Sequence, residues 1–532
     1  MTRQRRDGRP EIAASVRWAV DSRVSRRRIA IRPSRRVGSR TAAAAAMLAC
    51  LAMAAPWGSA AESSPRRRPN IVLILVDDLG WADLGCQGSR YYETPRIDRL
   101  AAQGLRLTNG YASCAVCSPT RAAIQTGRYP TRLGITDWIR ARFQGGVIGP
   151  DGHNPEGYEP PSPTGLCCPR NVLFMELDEL TLAEVLKPAG YVSCHIGKWH
   201  LGQEAHEPRQ QGYDVNHGGC DLGQPPSYFD PYVSSRPDYV LRQLPPRRDG
   251  ENLTDREADE AVGFIRANRD RPFLLNLCHY AVHTPLQAKT PLVEKYRAKP
   301  PTRQNNPVYA AMIESVDQAV GKIVETIDAL GLASDTLIIF TSDNGGLLGS
   351  TDNAPLRAGK GSPYEGGIRV PWIVRWPGVV RPGTTCDVPV ASIDVLPTAA
   401  ALAGIDLPPG RVIDGRSLVP LLRGEGEWNR DALFWHFPHY RRGFEPYGII
   451  REGQWKLIRF YDSGVRELYN LAGDPGEQNN LADDMPENVR RLDQRLSAWL
   501  AETGARMPVR RAADPQVPGV LDPRAAPLAS GS

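Results

Sequence analysis

The chain has 532 residues, 41% hydrophobic and 23% charged, an ordinary globular composition with ample length for one large core and a smaller domain. Its +6 net charge is uneven, because residues 1–61 hold 13 Arg against Asp7, Glu11 and Asp21, a net +10 that leaves −4 for the remainder. A mildly acidic body of this kind gives no reason to expect nucleic acid as a partner.

The basic segment runs into TAAAAAMLACLAMAAPWGSAAES, an apolar stretch of about 14 residues followed by small residues that suit a signal peptidase. It is too short to span a bilayer comfortably. Residues 1–61 therefore read as an export signal with a long basic start, cleaved near Ala60 or Ala61, with an uncleaved anchor as the alternative. The expected product is exported, periplasmic or extracellular, with no stable membrane span.

From residue 70 onward, short apolar runs alternate with helical patterns. NIVLILV (70–76) precedes TPRIDRLAAQG, and a capping box from Thr181 to Glu184 opens TLAEVLKPAG before YVSCHIG. DREADEAVGFIRANR leads to FLLNLCHY (273–280), and YAAMIESVDQAVGKIVETIDALG leads to TLIIFTS (336–342). Strand-like runs after long helices predict an α/β fold with a mostly parallel central sheet sandwiched by helices. Such sheets bind ligands at the carboxyl ends of their strands.

The four runs end in Asp77-Asp78, Lys198-Trp199-His200, His283-Thr284-Pro285 and Asp343-Asn344. Each alone reads as a turn or a structural histidine; their recurrence at one sheet edge points to a site. Asp77, Asp78, Asp343 and Asn344 offer oxygen donors only, which favours Ca²⁺ or Mg²⁺ over zinc, and an exported setting favours Ca²⁺.

CSPTR (117–121) supplies the companion to that edge. Pro119 suits the first helical position, so Cys117 is expected at a helix entry where free N–H groups favour an anion. Arg121, four residues on, returns to the same face, and Gly127 can close the helix. A thiolate would explain the arginine, yet a hard cation is an odd companion for sulfur, and the arrangement suits an oxygen nucleophile better. Cys114 forms a CxxC with Cys117, but no second CxxC completes a zinc site. Ten cysteines, Cys50 among the signal residues, are too few for a disulfide scaffold, although a bridge or two stays open; Cys167-Cys168 would be an awkward mutual pair.

Cys117-Ser118-Pro119-Thr120-Arg121 with TGR at 126–128 resembles the type I sulfatase signature, in which the cysteine becomes formylglycine. PNIVLILVDDLGWADLGC, GKWHLG (197–202), HTP (283–285), SDNGG (342–346), GKGSPYEGGIRVP (359–371) and ELYNLAGDPGEQNNLA (467–482) resemble sulfatase segments in the family's order. Thr120 departs from the commoner Ser or Ala and leaves the Cys, Pro and Arg intact. The resemblance implies an alkaline-phosphatase-like catalytic domain over residues 66–425. A smaller C-terminal α+β domain with an antiparallel sheet would span 426–504, and a Pro/Ala-rich tail 505–532. It implies a catalytic set of Cys117, Arg121, Lys198, His200, His283 and Lys360, and a metal set of Asp77, Asp78, Cys117 as formylglycine, Asp343 and Asn344.

In the mechanism so implied, one hydroxyl of hydrated formylglycine attacks sulfur. His283, helped by Lys360, protonates the leaving alcohol, while Lys198 and Lys360 neutralise sulfate oxygens. His200 then takes a proton from the second hydroxyl as sulfate departs. Trp199 and Cys114 are expected to be packing residues.

The implied partners are a formylglycine-generating enzyme during maturation and a sulfated carbohydrate or aryl sulfate as substrate. The Pro/Gly-rich stretch 140–177 and FWHFPHYRRG (434–443) lean the expectation toward sulfated poly- or oligosaccharides. Two alternatives stay open: a phosphate or phosphonate ester hydrolase of the same superfamily, and a non-catalytic sulfated-glycan-binding protein.

Overall fold

A computed structural model describes residues 68–160, 165–425 and 428–510. The expected export signal and residues 511–532 of the expected tail lie outside the described residues.

The central sheet has eight strands: β1 (Asn70–Val76), β2 (Leu105–Leu107), β3 (Val192–Gly197), β4 (Val215–His217), β5 (Phe273–Cys278), β6 (Thr336–Ser342), β7 (Trp372–Arg375) and β8 (Thr384–Cys386). Their order is β8-β2-β7-β6-β1-β5-β3-β4. β7 runs antiparallel to both of its neighbours, and every other pairing is parallel. The central position of β1 explains its unbroken apolar run. Ile71, Leu73 and Leu75 enter one core while Val72, Ile74 and Val76 enter the other, so neither face can carry a polar residue.

Helices cover both faces. On one side lie α1 (Pro95–Ala102), α3 (Leu253–Ala267) and α4 (Pro307–Ala329), which bury Ile97, Ile265 and Ile313 among others. On the other lie α2 (Cys117–Thr126) and α5 (Val395–Ala403). Thr181 caps Leu182–Leu186 with its hydroxyl accepting from Glu184 N, and Glu184 reaches back to Thr181 N at 2.9 Å, the expected capping box.

Beyond residue 432, β9 (Leu433–Phe437), β10 (Tyr447–Glu452), β11 (Trp455–Phe460) and β12 (Arg466–Asn470) form an antiparallel sheet in sequence order, against which α6 (Pro486–Glu502) packs. Its core residues Trp435, Ile449 and Leu457 share a cluster with Tyr111, Cys114, Val116 and Ala123, so this sheet braces the α2 segment from behind. At the start of the expected tail, Val509–Arg510 pair as a short strand with Leu166–Cys167. The nine described cysteines are all free, so the bridges left open above do not form among the described residues. No helix among the described residues is long and apolar enough to cross a membrane.

Candidate active site at the carboxyl edge of the sheet

The four strand ends deliver their polar residues to one place. Asp77 and Asp78 follow β1, Lys198 and His200 follow β3, His283 follows β5, and Asp343 and Asn344 follow β6. All except His283 are buried. The charges pair across the sheet: Lys198 Nζ donates to Asp77 Oδ2 at 2.6 Å, and Lys360 Nζ meets Asp78 Oδ1 at 2.6 Å. Arg121 donates from Nε to Asp343 Oδ2 at 2.9 Å and from Nη1 to the Lys198 carbonyl at 2.7 Å. Asn344 Nδ2 donates to Asp78 Oδ1 at 2.8 Å, and Asp78 N donates to Asp343 Oδ1 at 3.2 Å.

Burial disfavours charge on every carboxylate here, and the cations decide how far each escapes. Lys360, His283 and Lys198 outweigh burial at Asp78 and hold its carboxyl below the usual range, and Arg121 does the same for Asp343. Asp77 is pushed up, because burial and the nearby Asp343 together exceed the pull of Lys198. Three acceptor oxygens stay without a hydrogen-bond donor: Asp77 Oδ1, Asp78 Oδ2 and Asn344 Oδ1. Buried orphan oxygens on two carboxylates and an amide are of the kind that could hold a hard divalent cation. Asp343 differs, since both of its oxygens already accept hydrogen bonds.

The histidines are oriented by backbone carbonyls. His200 Nε2 lies 2.6 Å from the Ile139 carbonyl, which can only accept, so Nε2 carries the proton and Nδ1 keeps a lone pair without a partner. Burial, Lys198 and Arg121 hold this imidazole neutral. His283 Nδ1 donates to the Thr284 carbonyl at 2.8 Å, which leaves its Nε2 lone pair 3.7 Å from Asp78 Oδ2. Burial and Lys360 lower its pKa to about 3. Asp77, Asp78 and His283 therefore form a group whose ligand atoms lie within 4.8 Å of one another, which brings His283 nearer the carboxylates than sequence spacing suggested.

Cys117 is buried at the first residue of α2, and Val116 supplies no side-chain cap, so the first-turn N–H groups face whatever occupies position 117. Pro119 is the third helical residue rather than the first; its missing N–H still belongs to the unpaired first turn, so the helix tolerates it there. Gly127 ends the helix at φ 67°, as expected. Arg121 turns its guanidinium to Asp343 and the Lys198 carbonyl. Lys360 lies one residue before Gly361, whose N–H donates to Ala115 O at 2.9 Å and ties the lysine loop to the α2 entry.

Several supporting residues carried no legible sequence signal. Ser118 Oγ donates to the His200 carbonyl at 2.9 Å and accepts from Ile139 N at 2.9 Å, linking helix, histidine and acceptor. Asp83 collects Tyr309 Oη at 2.7 Å, Thr351 Oγ1 at 2.7 Å and Gly80 N at 2.8 Å beneath the Asp78 loop. Asp78 and His200 both take positive φ, 62° and 60°, strain of about 1–3 kcal/mol each that clusters at the site. Trp199 is buried with Nε1 donating to His206 O at 2.8 Å, and Cys114 sits in the core beneath the C-terminal sheet, the packing roles expected of both.

Residues 69–405 match the family model described as Sulfatase, and residues 359–504 match that of N-sulphoglucosamine sulphohydrolase, C-terminal. The chain is 33% identical over 527 residues to a sulfatase of Formosa agariphila, covering 84% of this chain and 91% of that protein. It is 35% identical over 391 residues to N-acetylgalactosamine-6-sulfatase of Homo sapiens, covering 69% and 67%. The solved structure of Ps i-CgsB in complex with k-i-k-neocarrahexaose has a TM-score of 0.68 at 30% identity, covering 81% of this chain and 93% of that one.

Proposed function

We propose, from the premise that this chain belongs to the sulfatase family and is a sulfuric ester hydrolase, that it releases sulfate from sulfated poly- or oligosaccharides. It would do so with a formylglycine made from Cys117 and a divalent cation. The carbohydrate assignment is supported by relatives named for an amino sugar sulfate and solved with a carrageenan-type hexaose. The observation that carries the reading is the trio of orphan oxygens on Asp77, Asp78 and Asn344, buried at the sheet edge where Cys117 opens α2.

Those oxygens fit a hard cation, Ca²⁺ with Mg²⁺ as the alternative, and Asp343 would join them by sharing an oxygen that already accepts from Asp78 N or Arg121. The cation supplies positive charge to a sulfate oxygen, and formylglycine supplies a hydrated aldehyde with two hydroxyls in place of one thiol. Lys198, Lys360 and Arg121 balance the carboxylates of Asp77, Asp78 and Asp343, so the bound cation would supply the net positive charge toward a sulfate. His200 Nδ1, its partner-free lone pair fixed by Ile139, is the acceptor for a proton from position 117. His283 holds its proton on Nδ1 against Thr284, so to donate from Nε2 to a leaving alcohol it would first take a proton from solvent, against the burial and the Lys360 charge that lower its pKa to about 3.

The two other readings make different forecasts. A phosphate or phosphonate ester hydrolase would turn over those esters faster than sulfate esters, and a glycan-binding protein would bind sulfated glycans without releasing sulfate. The deciding experiment is mass spectrometry of the peptide spanning Cys117–Arg121 from active protein made in its native host, with sulfate and phosphate ester turnover compared on the same sample. An aldehyde or its hydrate at 117 is expected, and active protein with only unmodified cysteine there would overturn the mechanism. Cys117→Ser, made where serine is not converted, should lose turnover, because a serine ester lacks the second hydroxyl. Conversion requires a formylglycine-generating enzyme before folding buries the site. Action in the periplasm or outside the cell follows from the export reading of residues 1–61.

A further inference from the structure

A cleft opens beside the loop that carries Lys360. Between β9 and β10 the chain makes a tight turn: Arg441 N donates to Phe444 O at 2.9 Å, Phe444 N donates to Arg441 O at 2.8 Å, and the two tip residues take φ values of 50° and 83°. This is the mirror-image hairpin turn in which both central residues occupy the left-handed region, a setting that favours Asn-Gly. The second tip residue, Gly443, obeys that preference. The first is Arg442, which bears the strain of a side chain at positive φ.

The cleft around this turn, about 670 Å³, is lined by Tyr440 to Glu445 with Asp462 and Ser463. Its carboxylates are already engaged. Glu445 accepts from Asp462 N at 2.9 Å, Ser463 N at 2.7 Å and Ser463 Oγ at 2.6 Å, and Asp462 accepts from Tyr440 Oη at 2.6 Å and pairs with Arg510. Arg441 pairs with Asp137 at 3.4 Å and lies over Trp138, which Arg140 also approaches. Arg442 is exposed and has no acceptor among the described residues.

The turn adjoins the catalytic cavity on two sides. A methyl group at Gly361, next to Lys360, would lie 3.2 Å from Arg441 Cδ. Asp137 stands two residues before Ile139, the acceptor that orients His200. Partial burial and Arg441 lower the pKa of the Arg442 guanidinium, which stays charged, and the carboxylate of Asp78 raises it.

We infer that Arg442 is a specificity-determining residue that pairs with a second anionic group, a sulfate or a carboxylate, on a saccharide whose scissile sulfate lies at Cys117. The substrate class is then a multiply charged saccharide. This inference rests on the sulfatase reading. The turn fixes the backbone beneath Arg442, so little backbone freedom is lost when the second anion binds, and the ordering cost falls on the unpartnered side chain.

The test compares the mature enzyme with Arg442→Asn and Arg442→Lys on three saccharides: singly sulfated and otherwise neutral, disulfated, and singly sulfated with a uronate. Arg442→Asn suits the turn, so its thermal midpoint should not fall, and misfolding cannot account for a kinetic change. The ratio of kcat/KM on a doubly charged saccharide to that on the singly charged one should drop about tenfold in Arg442→Asn, mainly through KM. Arg442→Lys should keep most of that ratio. A drop confined to the disulfated or to the uronate substrate supports the inference and identifies the group. Unchanged ratios on both would overturn it. Equilibrium binding of the same saccharides separates this from failure of the sulfatase reading. If no sulfate is released, selective loss of affinity for the doubly charged sugars in Arg442→Asn upholds the second-anion site, and equal affinities refute it.

Discussion

Lys456→Met tests how the C-terminal sheet supports the catalytic cavity. Lys456 in β11 is fully buried, with Nζ 3.0 Å from Glu365 Oε1 and 2.7 Å from Glu477 Oε1, both equally buried. Glu365 also accepts from Tyr111 Oη at 2.8 Å, and Glu477 Oε2 accepts from Glu365 N at 2.7 Å. Methionine keeps the volume and removes the charge, leaving two carboxylates together without their shared cation, so a loss of about 3–5 kcal/mol is expected. The loss must depend on pH. Burial and Glu365 already push the Glu477 carboxyl up to about 7, against Lys456. A carboxyl whose folded pKa is raised takes up a proton on folding, so its contribution to stability falls as pH rises from its ordinary value through about 7. Without Lys456 the folded value climbs further, and the gap between variant and parent should widen from about pH 5.5 to about pH 8. Urea and thermal unfolding at both pH values would measure it. Lys456→Met with Glu477→Gln should recover part of the loss at the higher pH. A pH-independent loss, or one below about 1 kcal/mol, would refute the account. Turnover should fall as well, because Glu365 begins the short helix Glu365–Ile368, in which Gly367 O accepts from Gly345 N, the residue after Asn344.

Asp78→Ala leaves Lys360 without its carboxylate and removes an orphan oxygen, so activity should be lost with the fold largely spared; full turnover in thoroughly chelated, metal-free protein would sink the cation assignment. His283→Ala should cost about 10²–10⁴-fold on a sugar sulfate and far less on nitrophenyl sulfate, whose leaving group needs little protonation, and equal losses on both would remove its acid role. Gly223→Ala would place a methyl carbon 2.6 Å from His200 Cε1, so kcat should fall about 10²-fold with little change in thermal midpoint; unaltered kcat would show that the orientation of His200 is not critical.

How far the sequence reaches is visible at β1 and at Asp78. The apolar run 70–76 announced a strand buried on both faces, because alternate residues must enter two cores and neither tolerates charge. The polar residues after 76, 197 and 342 stood out in the sequence as candidates for the same reason: a buried strand ends where its side chains can again be polar. The spacing of Cys117, Pro119 and Arg121 likewise lay within a single helix, where periodicity is local. Nothing local could say that Lys198 would pair with Asp77 and Lys360 with Asp78, or that Arg121 would turn to Asp343. Nor could it say which oxygens would be left without donors. Those facts follow from sheet order, which sets β1 between β5 and β6 and so joins residues more than 260 positions apart. The Lys456 triad, the approach of Gly223 to His200 and the Arg442 turn beside Gly361 belong to the same class. The dihedral preferences and burial of a segment are written in its own residues, whereas the partner of a charged tip depends on which distant segment packing delivers to it.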